Sequence, residues 1–283
     1  MRLPACLLPA LTSALLLAAC SQGMAPDGGA STSASVAPPA APAAPAPQDM
    51  ASASAAADVG ADARSVKVEN PLVDFEYGYP ASAAAIPALR AILEKDIVRQ
   101  KAQVMADARS DQLEAKKASF PFHAHSLSYD WKVVTDLPRW LSLSTLVATY
   151  TGGAHPNYVF DTLLWDKTAH VRRDPLDLFV SKAALSHAIR KDFCVALDKE
   201  RAKKRGEPKK AGSTDEFDAC IDPAAETVIL GSRGRTGFDR VGILVPPYEA
   251  GPYAEGDYEV TLPVTPAVIA AVKPQYRAAF SAP

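Results

Sequence analysis

The chain is short of cysteine, of net charge and of long apolar runs, and each shortage removes a class of function. Its formal net charge is −2 at pH 7 over 283 residues, so it lacks the basic surplus of a nucleic-acid binder. Beyond the amino terminus no run approaches the roughly 20 apolar residues of a membrane-spanning helix. Neither His-Glu-x-x-His nor Cys-x-x-Cys occurs, and no carboxylate stands at recognisable ligand spacing. No metal and no cofactor is therefore expected. No serine sits in a Gly-x-Ser-x-Gly elbow, which removes the commonest frame for nucleophilic hydrolysis. No internal repeat and no catalytic constellation stands out.

What is present begins with an export signal. Met1-Arg2 is cationic, Leu3 to Leu17 is apolar apart from Thr12 and Ser13, and Leu17-Ala18-Ala19-Cys20 closes the run. Small residues before a cysteine fit a lipoprotein processing site, so residues 1–19 read as a signal peptide and Cys20 as the lipidated residue. The chain is expected to be anchored rather than embedded. Ser21 after the cysteine, in place of an aspartate, points to the outer membrane facing the periplasm. Residues 20–62 are rich in alanine, proline and serine and bury too little apolar surface to offset ordering entropy. They read as a disordered tether, spanning about 35 Å as a flexible coil. Of four cysteines, Cys194 and Cys220 remain for the head. In an oxidising compartment a disulfide is their default state, with a metal pair or two free thiols as the alternatives.

Residues 63–283 read as one α+β domain, a mostly antiparallel sheet with two main helices packed on one face. Val66 to Tyr79 is extended with a break at Asn70-Pro71, which suggests a bulge or edge position. Ile86, Leu89, Leu93, Ile97, Val104 and Ala108 mark one face of a helix beginning at Ile86-Pro87. Leu127, Tyr129, Trp131 and Val133 alternate in one strand. Leu141 to Tyr150 pairs with it, and Tyr158 to Asp166 follows the Gly152-Gly153 turn, making a meander. A second helix runs from about Lys182 with Leu185, Ile189, Phe193, Ala196 and Leu197 on one side. Strands return at Glu226–Leu230, Gly237–Val245 and Tyr258–Pro263, and Thr265–Val272 closes as a short helix.

Four groups of residues could carry chemistry. Pro156 holds His155 extended beside the two glycines, so its imidazole either fixes the loop by hydrogen bonds or touches a ligand. His123 and His125 would share a strand face and could meet His155 at zinc, but two half-exposed polar residues at a strand start explain them without a metal. The basic run Lys199 to Lys210 reads as a solvated helix end and loop more readily than as an anion-binding patch, because Gly206 and Pro208 interrupt it. The loop Pro246 to Gly256 carries Tyr248, Glu249, Tyr253 and Glu255 on backbone stiffened by proline. Its tyrosines are binding anchors, or they pack beneath the loop while the acids solvate it.

Three segments together resemble one envelope domain family. They are Tyr150 to Asn157 with its Gly-Gly-Ala-His-Pro core, Asp177-Leu178-Phe179, and Pro247-Tyr248-Glu249 with Gly251-Pro252-Tyr253-Ala254-Glu255-Gly256. The family is found as the extracellular part of lysozyme-sensing anti-sigma factors, and a related region precedes the catalytic domain of a peptidoglycan deacetylase. The resemblance spans about Val66 to Phe280. It implies an α+β ectodomain that need not be an enzyme and that binds a lysozyme-like muramidase by occupying its substrate cleft. Peptidoglycan is the other ligand it suggests. A cell-wall hydrolase or deacetylase of unrecognised type, or an accessory structural lipoprotein, are the remaining readings. Residues Arg190 to Gly231, with the cysteine pair and the basic run, have no counterpart in the family that can be placed.

Overall fold

The computed structural model describes residues 62–282. The expected signal, the Cys20 anchor and the tether as far as Ala61 lie outside the described residues.

The two halves of the first extended segment are separate strands, β1 (Arg64–Glu69) and β2 (Val73–Tyr79), paired antiparallel with Val68 opposite Phe75. The Asn70-Pro71 break is a hairpin turn and not a bulge. The Asn70 side-chain oxygen accepts from the amides of Leu72 and Val73 at 2.9 and 3.2 Å, an Asx turn that reverses the chain. A four-residue helix α1 (Ala81–Ala84) leads into α2 (Pro87–Ala118), which has proline at its first turn and Ser119 in the left-handed region at its end. The apolar spacing sets its inward face: Leu89, Leu93, Ile97, Val104 and Ala108 are all buried. They pack with Phe75, Tyr77, Trp131, Leu143 and Trp165.

The helix carries the chain back to a strand parallel to β2. This is β3 (His125–Asp130), with Phe75 opposite Leu127. The alternating run divides at Trp131, whose amide donates to the Gly78 carbonyl at 3.0 Å. Its second half is β4 (Lys132–Asp136), and both halves pair with the long strand β5 (Trp140–Tyr150). The alternation keeps its phase across the break, so sequence pattern alone could not show it. β6 (Asn157–Asp166) runs antiparallel to β5 from Thr149–Asn157 to Trp140–Asp166, and β7 (Val171–Arg173) ends the sheet. The meander expected around Gly152-Gly153 is present.

The chain is α+β with mainly antiparallel pairing, as expected, but its strands divide between two sheets. β8 (Thr227–Gly231), β9 (Arg240–Val245) and β10 (Tyr258–Pro263) form a separate three-stranded sheet beside the seven-stranded one. The helix α3 (Lys182–Arg205) covers it: Leu185, Ile189, Phe193 and Leu197 pack with Val228, Ile243, Tyr258 and Val260. Trp140 and Leu164 join this second cluster from the far side of the larger sheet, and the Thr227 hydroxyl donates to the Phe160 carbonyl at 3.1 Å. That places the start of β6 beside β8 and β9, which is what positions the site below. Pro175–Leu178 forms a short turn, capped reciprocally by Asp174 and Asp177, with Leu178 and Phe179 buried. The final helix α4 (Pro266–Ala271) is capped by Thr265.

Cys194 of α3 is bonded to Cys220, their Cα atoms 5.4 Å apart. This is the disulfide expected from export and count, and it ties α3 to the segment entering β8.

Candidate functional site

The β5–β6 turn and the Pro246–Gly256 loop, about a hundred residues apart in sequence, meet at one exposed surface. Gly152 and Gly153 take φ values of 96° and 109°, the left-handed conformations for which glycine suits the turn. They deliver His155 outward, where its ring stacks on Tyr253 with centroids 3.8 Å apart and planes 20° from parallel. Tyr248 packs on Tyr253 at 5.7 Å. The imidazole Nδ1 lies 2.8 Å from the Pro156 carbonyl and its Nε2 lies 3.3 Å from the Tyr248 hydroxyl. A neutral ring protonated on Nδ1 satisfies both, donating to the carbonyl and accepting from the phenol. The Tyr253 hydroxyl donates to the same Pro156 carbonyl at 2.7 Å. Below them the buried Tyr158 hydroxyl donates to Asp257 at 2.9 Å, and burial with that carboxylate beside it holds the phenol well above its ordinary pKa.

The loop is held as firmly from behind. Tyr248 sits at φ 75°, a backbone state that a bulky residue adopts only when its surroundings impose it. Its amide donates to the Gly251 carbonyl at 3.0 Å. A Cβ on Gly251 would lie 2.9 Å from the Tyr258 hydroxyl and closer still to the Glu255 carboxylate, so a side chain there would have to displace that pair. Glu255, expected as an exposed acid, turns inward. Arg205 donates to both its carboxylate oxygens, at 2.9 and 3.1 Å, and the Tyr258 hydroxyl donates to it as well. Arg205 also pairs with Asp218. Arg201, 1% exposed, donates to the Ala250 carbonyl at 2.9 Å and to the Ala219 carbonyl at 2.9 Å. Lys204 donates to the carbonyls of Glu255 and Asp257 and lies over the Tyr258 ring at 4.4 Å.

The basic run is thus neither a solvated end nor an anion patch in these three residues. It is the clamp that sets the loop. The spacing Phe193, Leu197, Arg201, Arg205 continues the buried face of α3 by steps of four, and that signal could have identified the two arginines as inward. Tyr158 and Asp257 carried no comparable signal, because their contact exists only once the two sheets are side by side.

What remains at the surface is Tyr248, 51% exposed, the face of Tyr253, His155 and the Glu249 carboxylate. Two further carboxylates, partly buried, feel the charges of Glu249 and Asp257. Glu226 has its pKa pushed up to about 7, by burial first and then by Glu249 and Asp222. Glu259 is raised by burial and by Asp257, with Lys204 opposing.

The other histidines go elsewhere. His123 is exposed and precedes β3, whereas His125 is buried, stacked on Phe122 and 3.1 Å from Asp111. Among the described residues no group of three or more His, Cys, Asp or Glu is arranged to hold a metal ion, and no helix is long and apolar enough to cross a membrane.

Residues 66–158 match the family model described as deacetylase PdaC. The match runs from β1 to the start of β6, so it includes the Gly152–Asn157 turn and leaves the 246–256 loop outside. No curated protein matches the chain. Among solved structures it is similar to a DUF3298 family member from Bacteroides fragilis, with 15% identity and a TM-score of 0.43, covering 72% of this chain and 90% of that one. It is also similar to a DUF3298 family protein from Pseudomonas aeruginosa, with 17% identity and a TM-score of 0.44, covering 76% and 95%.

Proposed function

We propose that this head is a non-catalytic binding module of a lipid-anchored envelope protein, and that its partner is a cationic muramidase of the lysozyme type. The observation that carries the reading is the ordered stack of Tyr248, Tyr253 and His155, clamped from behind and bordered by the exposed Glu249. Rings already fixed in place lose little entropy on contact and serve as anchors. The exposed Glu249 carboxylate beside them favours a basic partner. The match of residues 66–158 to the family described as deacetylase PdaC supports the resemblance to cell-wall domains on which this placement rests. Cys20 would hold it at the outer membrane, facing the periplasm; loss of palmitate incorporation in Cys20→Ala checks that anchor.

Two kinds of variant test the surface. Tyr248→Ala and Tyr253→Ala should each raise the dissociation rate by roughly 30-fold, the equivalent of an anchor worth about 2 kcal/mol. Glu249→Gln should slow association at low salt and do little at high salt. Glu255 is not the acid to test for steering, since its carboxylate is committed to Arg205. Surface-binding kinetics on a panel of muramidases give both rates. Absence of binding at micromolar concentration, with peptidoglycan fragments bound instead, would make the glycan the ligand of this surface.

A further inference from the structure

The basic run continues past the clamp into a loop that the surface does not use. α3 stops at Arg205, and Gly206 leaves it at φ 76°. From there to the short turn Glu216–Asp218 the chain forms neither helix nor strand, and residues 206–216 are all exposed. Lys209 and Lys210 stand in the middle of this loop. Lys209 pairs with Asp198 at 2.6 Å, whereas the exposed Lys210 has no ion-pair partner among the described residues. The Lys210 carbonyl accepts from the Ser213 amide at 3.2 Å, one turn bond that is readily given up. Ala211 and Gly212 follow it. A free cationic side chain, a small residue across the peptide bond and backbone able to extend suit a serine protease with an acidic specificity pocket. By contrast, the turn that carries Arg233 and Arg235 is pinned. There the Asp239 carboxylate accepts from the amides of Arg233 and Gly234, each at 3.0 Å.

Both ends of the 206–216 loop are held from outside it. On the near side Arg205 is paired with Glu255 and Asp218. On the far side Cys220 is bonded to Cys194, the Ala219 carbonyl accepts from Arg201, and the Cys220 carbonyl accepts from Arg190 at 2.8 Å. Opening the loop therefore leaves neither end free to unravel.

A cut here falls between two halves of the head. Everything from β1 to α3 precedes it, and β8, β9, β10 and α4 follow it. The halves share the core in which Leu185, Ile189, Phe193 and Leu197 meet Val228, Ile243, Tyr258 and Val260, so they stay folded together. The stacked rings divide as well, with His155 in the first half and Tyr248 and Tyr253 in the second. Cys220 is the one cysteine after the loop, so its bond to Cys194 becomes the covalent link between the halves.

We propose that the Lys210–Ala211 bond is a cleavage site for a protease of trypsin specificity, and that cutting it makes the joint surface of His155, Tyr248 and Tyr253 conditional on the Cys194–Cys220 disulfide. Water adds across the amide, leaving a carboxylate on Lys210 and an ammonium on Ala211. In the uncut chain, reduction removes one cross-link from a chain that stays whole. In the cut chain it also frees the second half to dissociate, and stability then depends on concentration. The site is independent of what the surface binds.

Brief exposure of the mature protein to a small amount of trypsin tests this. The first basic residue after Cys20 is Arg64, so early cuts report on the head. Intact mass should rise by one water, and fragments ending at Lys210 and beginning at Ala211 should separate only after reduction. Lys210→Gln should slow the first cut by about tenfold, while Lys209→Gln changes it little. The thermal midpoint of the cut protein should ignore dilution while oxidised and fall with dilution once reduced; the uncut protein should ignore dilution in both states. No cut under native conditions, a first cut at Arg235 or within α2, equal rates for Lys210→Gln and wild type, or a cut and reduced protein indifferent to dilution would each overturn the proposal.

Discussion

Arg205 turns a flexible acidic loop into a fixed surface, because one guanidinium satisfies both oxygens of Glu255 and reaches Asp218 as well. A planar fork can do this where a lysine could not. Arg205→Met would leave the half-buried Glu255 without its cation, at a cost of about 1–3 kcal/mol. A lower urea midpoint at unchanged slope, together with faster amide exchange at Glu255 and Gly256, is the expected outcome; exchange equal to wild type would contradict the clamp. Glu226 gives a pH signature. Its folded pKa of about 7 lies above the ordinary value of 4.5, so across that window the folded state holds the extra proton. Stability must then fall as pH rises from about 4.5 to about 7, the reverse of a salt-bridged carboxylate. Glu226→Gln should flatten that slope and stabilise the protein near neutral or higher pH by about 1 kcal/mol, the shift being discounted for solvent screening. Urea unfolding on either side of the window reads it directly.

The cysteine bond acts on elements, fastening α3 to an irregular segment that Arg190, Arg201 and Arg205 of the same helix also hold. The paired residues are 26 apart, and loss of the bond in a Cys194→Ser, Cys220→Ser double variant should cost about 3 kcal/mol by the chain-entropy estimate. Thermal unfolding with and without reductant should show the same drop in wild type and none in the variant. Elements of this size are largely legible in the sequence. The steps of three and four in α2, the paired glycines between β5 and β6, and the alternation of β10 each follow from local geometry. The division into two sheets was not legible, because an alternating strand looks the same whichever partner it pairs with. β9 is buried throughout Val241–Val245, since layers press on both its faces, and that continuous run was the available hint. The site followed the same division. Tyr248, Tyr253 and His155 were identified from turn chemistry and aromatic content. Their clamp was missed because Lys199 to Lys210 reads as a surface run unless the face of α3 is continued through it.

Seen whole, the molecule places its stacked rings at one tip of the β5–β6 hairpin. The larger sheet carries that hairpin, with α2 on one face and the second sheet with α3 on the other. The central claim is that the tip of Tyr248, Tyr253 and His155 is where a cationic muramidase docks. A hydrogen-exchange footprint of the mature chain, with and without such an enzyme at saturating concentration, tests it most directly. The account predicts slowed exchange confined to residues 152–158 and 246–257, fading as salt is raised. Protection elsewhere on the head with this surface unchanged, or no protection from any muramidase, would contradict it.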